Sequence, residues 1–68
     1  MTRRADIVIS TTSITKVEDG YFEIVFPDLT TDTAHSRTVA NIKAMAWYQR
    51  RYGRRFVIPL GAIEWRGL

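Results

Sequence analysis

The densest chemistry in this chain lies between Trp47 and Arg55, which reads WYQRRYGRR. Arg50, Arg51, Arg54 and Arg55 place four guanidinium groups within six residues, interrupted only by Tyr52 and Gly53. A guanidinium is a permanently charged planar fork of donors that matches the paired oxygens of a phosphate or carboxylate. Arginine outnumbers lysine eight to two along the chain, which favours such paired contacts over mere solubility. Trp47 adds a ring among these cations, able to stack on bases or to anchor a protein interface. A plainer account covers the same arginines. Cations at a helix C-terminus lie favourably in the macrodipole, at ~0.3–1 kcal/mol each, with no ligand at all.

No other constellation supports catalysis. His35 is the single histidine and adjoins Ser36. Sequence neighbours at a helix start do not face each other productively, and no third triad member is present, so both read as helix-start residues. Asp28 and Asp32 flank Leu29-Thr30-Thr31 but lack the glycine and terminal glutamate of a calcium loop, which leaves them loop-solvating or capping roles. The four glycines are scattered, so no phosphate-cradling loop forms. The sequence therefore predicts a protein that is not an enzyme and uses neither metal nor cofactor.

Size and charge frame what that protein can be. The 68 residues suffice for one small domain, 1–68, with a limited core. The apolar fraction of 46% suits a folded globule. No cysteine is present, which suits a reducing cytoplasm. No apolar run approaches the ~20 residues of a membrane span, and MTRRADIVIS does not read as a signal peptide. The expectation is thus a complete, soluble, intracellular chain with no membrane partner. Residues 1–36 hold three basic against six acidic side chains, whereas residues 37–68 hold seven basic against Glu64 alone. That asymmetry points to an anionic partner for the second half.

The elements that position the arginines follow from periodicity. Asp19-Gly20 predicts a type I′ hairpin turn, which pairs Glu18 with Tyr21, Val17 with Phe22, Lys16 with Glu23 and Ile14 with Val25. Alternation then puts Ile7, Ile9, Val17, Phe22, Ile24 and Phe26 on one face, and Ile14, Lys16, Tyr21, Glu23 and Val25 on the other. The run Ser10 to Ser13 suits a bulge or bend, and Pro27 stops the second strand near Phe26. A loop, PDLTTDTAHS, offers Thr33 or Ser36 as helix N-cap. The helix runs from about His35 to Tyr52 and ends at Gly53. At about 100° per residue, Thr38, Val39, Ile42, Met45, Ala46, Gln49 and Tyr52 form the face expected to cover the sheet. Arg37, Ala40, Lys43, Ala44, Trp47, Arg50 and Arg51 form the reverse face. Phe56, Val57, Ile58 and Leu60 suggest a strand, with a second short one around Ile63 and Trp65, although Pro59 and Gly61 interrupt them.

This phase leaves Trp47 outward, and exposing so large a ring forfeits burial worth ~2–3 kcal/mol. Three arrangements account for it. The ring contacts a partner; or the segment from Ile63 to Leu68, with Trp65, folds back over it; or Ala40, Ala44 and Trp47 form a homodimer seam.

The succession FEIVF, a polar loop, VANIKAMAWYQRRYG and RFVIPLGAI, over residues 21–63, resembles the ββαβ unit of small phage proteins that inhibit host RNA polymerase or act as anti-CRISPR proteins. The resemblance implies a protein that occludes a partner's working surface, meets it partly by charge and performs no chemistry.

The expected fold is α+β: an antiparallel three- or four-stranded sheet with one helix of about 16–18 residues on one face, in the order ββαβ(β). The expected function is nucleic-acid binding through Arg37, Lys43, Trp47, Arg50, Arg51, Arg54 and Arg55. The alternative is a regulator that uses the same helix, or an open sheet edge, to occlude a host protein.

Overall fold

The computed structural model describes residues 11–67. Four strands and one helix follow in the order β1 (Thr12–Glu18), β2 (Tyr21–Val25), β3 (Thr31–Ala34), α1 (Arg37–Tyr52) and β4 (Ile63–Arg66). They form one sheet in the order β3-β2-β1-β4 with the helix on one face. The class is α+β, as the residue pattern predicts, but the sheet is mixed and the order is βββαβ. β1–β2 and β2–β3 pair antiparallel, whereas β4 joins β1 in parallel.

The direction of β4 follows from the extra strand. Thr31–Ala34, expected as loop, turns back from Pro27 and pairs along β2. The helix begins two residues beyond β3 and carries the chain back across the sheet. The returning strand therefore starts at the same end as β3 and runs the same way, the crossover that parallel pairing requires.

The hairpin forms where Asp19-Gly20 predicts it, and Glu18 does pair with Tyr21. Beyond that pair the register differs by one. Lys16 faces Phe22, Thr15 faces Glu23, and Ile14 faces Ile24, with Val17 as the extra residue of a bulge. Gly20 takes a positive φ of 75° and Asp19 does not, so the turn is not type I′. A turn lacking two left-handed residues matches the strand twist poorly, and the added residue in β1 absorbs the difference. One inserted residue exchanges the faces of the strand. Ile14, expected outside, is fully buried, and Val17, expected in the core, is 52% exposed. The bulge thus sits at Val17 rather than in the Ser10–Ser13 run, whose described part enters β1 at Thr12. The expected placement of Ile7 and Ile9 lies outside the described residues.

The helix has the predicted ends and a different phase. Ser36 is the N-cap, its Oγ accepting from the Val39 N–H at 3.1 Å, and Gly53 closes the other end at φ 109°, donating its N–H to the Gln49 carbonyl at 2.8 Å. Ser36→Ala should cost about 1 kcal/mol. In a domain of this size that lowers the melting temperature by roughly 4–8 °C, readable by circular dichroism.

The buried face is Ala40, Ala44 and Tyr48, flanked by Val39 and Trp47. Of the stripe expected to be internal, Val39 does pack against the core and Ala46 and Gln49 are part-buried, whereas Ile42 is 58%, Tyr52 50% and Met45 38% exposed. Packing explains the rotation. The sheet already contributes bulk through Ile14, Phe22, Ile24 and Phe26. Close-packed layers need small residues opposite large ones, and two alanines one turn apart let the helix backbone approach. Tyr48 then fills the end of the core. Its hydroxyl accepts from Thr12 Oγ1 at 2.9 Å and donates to the Ala62 carbonyl at 3.2 Å, which also accepts from the Thr12 N–H at 2.8 Å.

Phe56, Val57, Ile58 and Leu60 do not form a strand. Pro59 and Gly61 interrupt any ladder, and Phe56 instead stacks on Tyr52 with ring centroids 4.6 Å apart. Val57 and Leu60 stay in solvent.

Candidate functional site

The changed helix phase redraws the surface around the arginines. Trp47 does not stand free among them. Its ring is half-buried, stacked nearly parallel on Phe26 at 5.8 Å and edge-on to Tyr48 at 5.1 Å. The Arg51 guanidinium carbon lies 5.5 Å from the ring centroid, a cation–π contact that holds this arginine against the protein. The covering comes from the sheet and the helix itself. Trp65, offered as one possible cover, packs edge-on to Phe22. Ala40 and Ala44 are fully buried within the monomer, so the expected homodimer seam through Ala40, Ala44 and Trp47 is not on the surface.

Arg50 and Arg51 occupy the last helical turn, and Arg54 and Arg55 the turn that follows Gly53. All four are exposed. Among the described residues, none of them is ion-paired. Lys43 differs. Its ammonium donates to the Thr33 carbonyl at 2.7 Å and pairs with Asp32 at 3.3 Å, clamping the helix to edge strand β3. Arg37 is exposed but opens the helix, 13 residues before Arg50, hence about 20 Å away along the axis at ~1.5 Å per residue. The structure therefore gathers Arg50, Arg51, Arg54 and Arg55 at one end, places Trp47 at their margin, and separates Lys43 and Arg37 from them.

Beside this cluster lies a groove of about 380 Å³ between the helix and the loop joining β2 to β3. Lys43, Ala46, Trp47 and Arg50 form its helix wall, with Phe26, Asp28, Thr30 and Asp32 opposite. A smaller depression of about 230 Å³ lies against Trp47, Arg50 and Arg51. Trp47 and Arg50 belong to both hollows.

The loop wall is fixed by its own bonds. Asp28 Oδ1 accepts from the Thr30 N–H at 3.1 Å and from the Thr30 hydroxyl at 2.6 Å. These bonds hold a tight turn in which Leu29 takes the left-handed φ of 72° that bulky residues avoid. Asp32 Oδ1 accepts from the Thr33 N–H at 2.7 Å as well as from Lys43. The Thr30 hydroxyl first, then the Thr30 N–H and, more weakly, the Arg51 charge, hold the Asp28 carboxyl below its ordinary range. The Thr33 N–H and then Lys43 do the same for Asp32. A depressed carboxyl pKa means that these bonds support the fold above the ordinary carboxylate value and weaken as pH falls through the lowered one. Both groups are anions near neutral pH.

Sequence reasoning assigns Asp28 and Asp32 loop-solvating or capping roles; Asp28 does bond its own loop through Thr30, whereas Asp32 lies in β3 and bonds Thr33 and Lys43. Their shared groove was missed because it depends on β3, which brings the loop back beside the helix. Among the described residues no three metal-binding side chains cluster, and no helix is long and apolar enough to cross a membrane. Comparison with protein-family models, curated proteins and solved structures found no match.

Proposed function

We propose that this chain is a non-enzymatic, cytoplasmic binding protein that takes nucleic acid on Arg50, Arg51, Arg54 and Arg55. One observation carries the proposal: four exposed guanidiniums at one end of the helix, none ion-paired among the described residues. Clustered cations free of ion pairs are the footprint of a phosphate backbone, which releases condensed counterions when it is neutralised. Arg51 lies on Trp47 and is exposed, while Arg54 and Arg55 extend the charge past the helix end. Lys43 and Arg37 have no leading part in this reading, and Trp47 serves as a half-covered platform rather than a free stacking ring.

A second reading keeps its place through a separate observation. Ile42, Met45 and Tyr52 form an exposed apolar stripe along the helix, a surface of the kind that docks on another protein. A phage-type regulator that occludes a host protein would use it, as the resemblance of residues 21–63 implies.

A pull-down from host lysate, with and without nuclease and at two salt concentrations, separates the two. The nucleic-acid reading predicts recovered nucleic acid that is lost on nuclease treatment or at the higher salt. A single stoichiometric protein that survives both treatments would establish the second reading instead.

A further inference from the structure

We infer that the groove beside Trp47 receives one unpaired guanine from a single strand whose phosphates lie on the arginine cluster. The inference rests on the nucleic-acid reading above and adds to it a base preference. Its starting point is a mismatch of charge. A phosphate backbone can follow Arg50, Arg51, Arg54 and Arg55, but the far wall of the groove carries Asp32, already paired with Lys43, and the Asp28 anion, which disfavours a phosphate beside it. The group that enters beside Trp47 must therefore offer donors to that wall.

Hydrogen-bond accounting narrows the group further. In each carboxylate one oxygen is engaged: Asp28 Oδ1 by Thr30, and Asp32 Oδ1 by Thr33 and Lys43. An ionised carboxylate only accepts and has about four lone-pair sites, so each keeps acceptor capacity beyond these bonds. The loop wall is thus an acceptor surface. On the helix wall, Arg50 is a donor without an internal partner, and Trp47 supplies an apolar face.

Guanine fits this polarity. Its N1–H and N2 amino group are adjacent donors, while O6 and N7 are acceptors that an arginine fork grips in pairs. Adenine and cytosine each place a ring-nitrogen acceptor beside their amino group, which a carboxylate would repel, and thymine offers only one N–H between two carbonyls. A groove of about 380 Å³ is within the ~300–1,000 Å³ of small-ligand sites. The part of the indole that Phe26 and Arg51 leave uncovered adds apolar contact that does not depend on the base.

The test uses the full chain and three short single strands of equal length: oligothymidylate, the same strand with one central guanine, and the same with inosine, which lacks the 2-amino group. Binding is followed by fluorescence anisotropy. The guanine strand should bind about tenfold or more tightly than oligothymidylate, with inosine between them. Asp28→Asn keeps an acceptor for Thr30 but turns a donor toward the base. It should bring the ratio of guanine-strand to oligothymidylate affinity, measured in the variant itself, to about one, whatever the loss of an anion near Arg51 does to the binding of all strands alike. Equal affinity for all three strands would overturn the guanine site and leave the phosphate reading standing. A preference that persists in Asp28→Asn would overturn it as well. No binding of any strand at low salt would remove both.

Discussion

Replacing Tyr48 with alanine is expected to leave the chain without a cooperative thermal transition. Tyr48 is fully buried, and its hydroxyl joins the start of β1 to the loop that precedes β4. Its ring also lies within 6.4 Å, centroid to centroid, of Trp47, Tyr52 and Phe56. Truncating a buried aromatic costs about 3–5 kcal/mol, because the cavity collapses only in part. A core of this size supplies only ~3–5 kcal/mol of net stability, so the loss is comparable to the whole. Tyr48→Phe separates the ring from the hydroxyl. It keeps the packing but removes a buried acceptor for Thr12 and a donor to Ala62, at about 1–3 kcal/mol. Thermal melts followed by circular dichroism should therefore rank wild type above Tyr48→Phe, and Tyr48→Phe above an unfolded Tyr48→Ala. A Tyr48→Ala protein that melts like wild type would mean that the helix is not seated on this residue.

The second large effect concerns binding. The combined change of Arg50, Arg51, Arg54 and Arg55 to alanine should remove measurable affinity for a short single strand at low salt, a loss of at least about a hundredfold. The fold should persist, because these side chains are exposed and, among the described residues, only Arg51 packs on a ring. Losing that cation–π contact costs about 0.5–1 kcal/mol and losing Arg50 and Arg51 from the last helical turn about 0.3–1 kcal/mol each, so the melting temperature falls but the chain stays folded at low temperature. Arg37→Ala provides the contrast. That residue has the same charge at the opposite end of the helix and should change affinity little. Equal losses from Arg37→Ala and from any single member of the cluster would show that net charge alone is being measured. Anisotropy titrations of the variants decide between these outcomes.

The punctuation of this fold was legible in its residues, and its packing was not. Asp19-Gly20 marked the hairpin, Ser36 was one of two candidate caps, and Gly53 ended the helix, because each acts within a few residues of chain. The bulge at Val17 shows where such locality fails. A single added residue exchanged Ile14 and Val17 between faces, and either register buries an aliphatic side chain, so alternation alone could not choose. The helix phase failed for a related reason. Ile42, Met45 and Tyr52 make the more apolar stripe, but the sheet already carried the bulk, and Ala40 and Ala44 allowed the closer approach. Ala40 and Ala44, offered as part of a homodimer seam, pack instead against the protein's own sheet. Thr31–Ala34 contains two threonines and an aspartate and reads as loop until β2 offers it an edge. Of the candidate site, the arginine run was visible at once, whereas Asp28 and Asp32 became neighbours of Arg50 only through β3.

The central claim is that the exposed guanidiniums of Arg50, Arg51, Arg54 and Arg55 neutralise phosphates, and the dependence of affinity on salt measures this directly. A single strand of mixed sequence, titrated with wild-type protein over a series of salt concentrations, reports how many phosphates are neutralised. Each contributes a slope of about −0.7 in the logarithm of affinity against that of salt, so four contacts predict a slope near −3. A slope close to zero, or no binding at the lowest salt, would contradict the claim and leave the exposed apolar stripe of the helix as the surface that works.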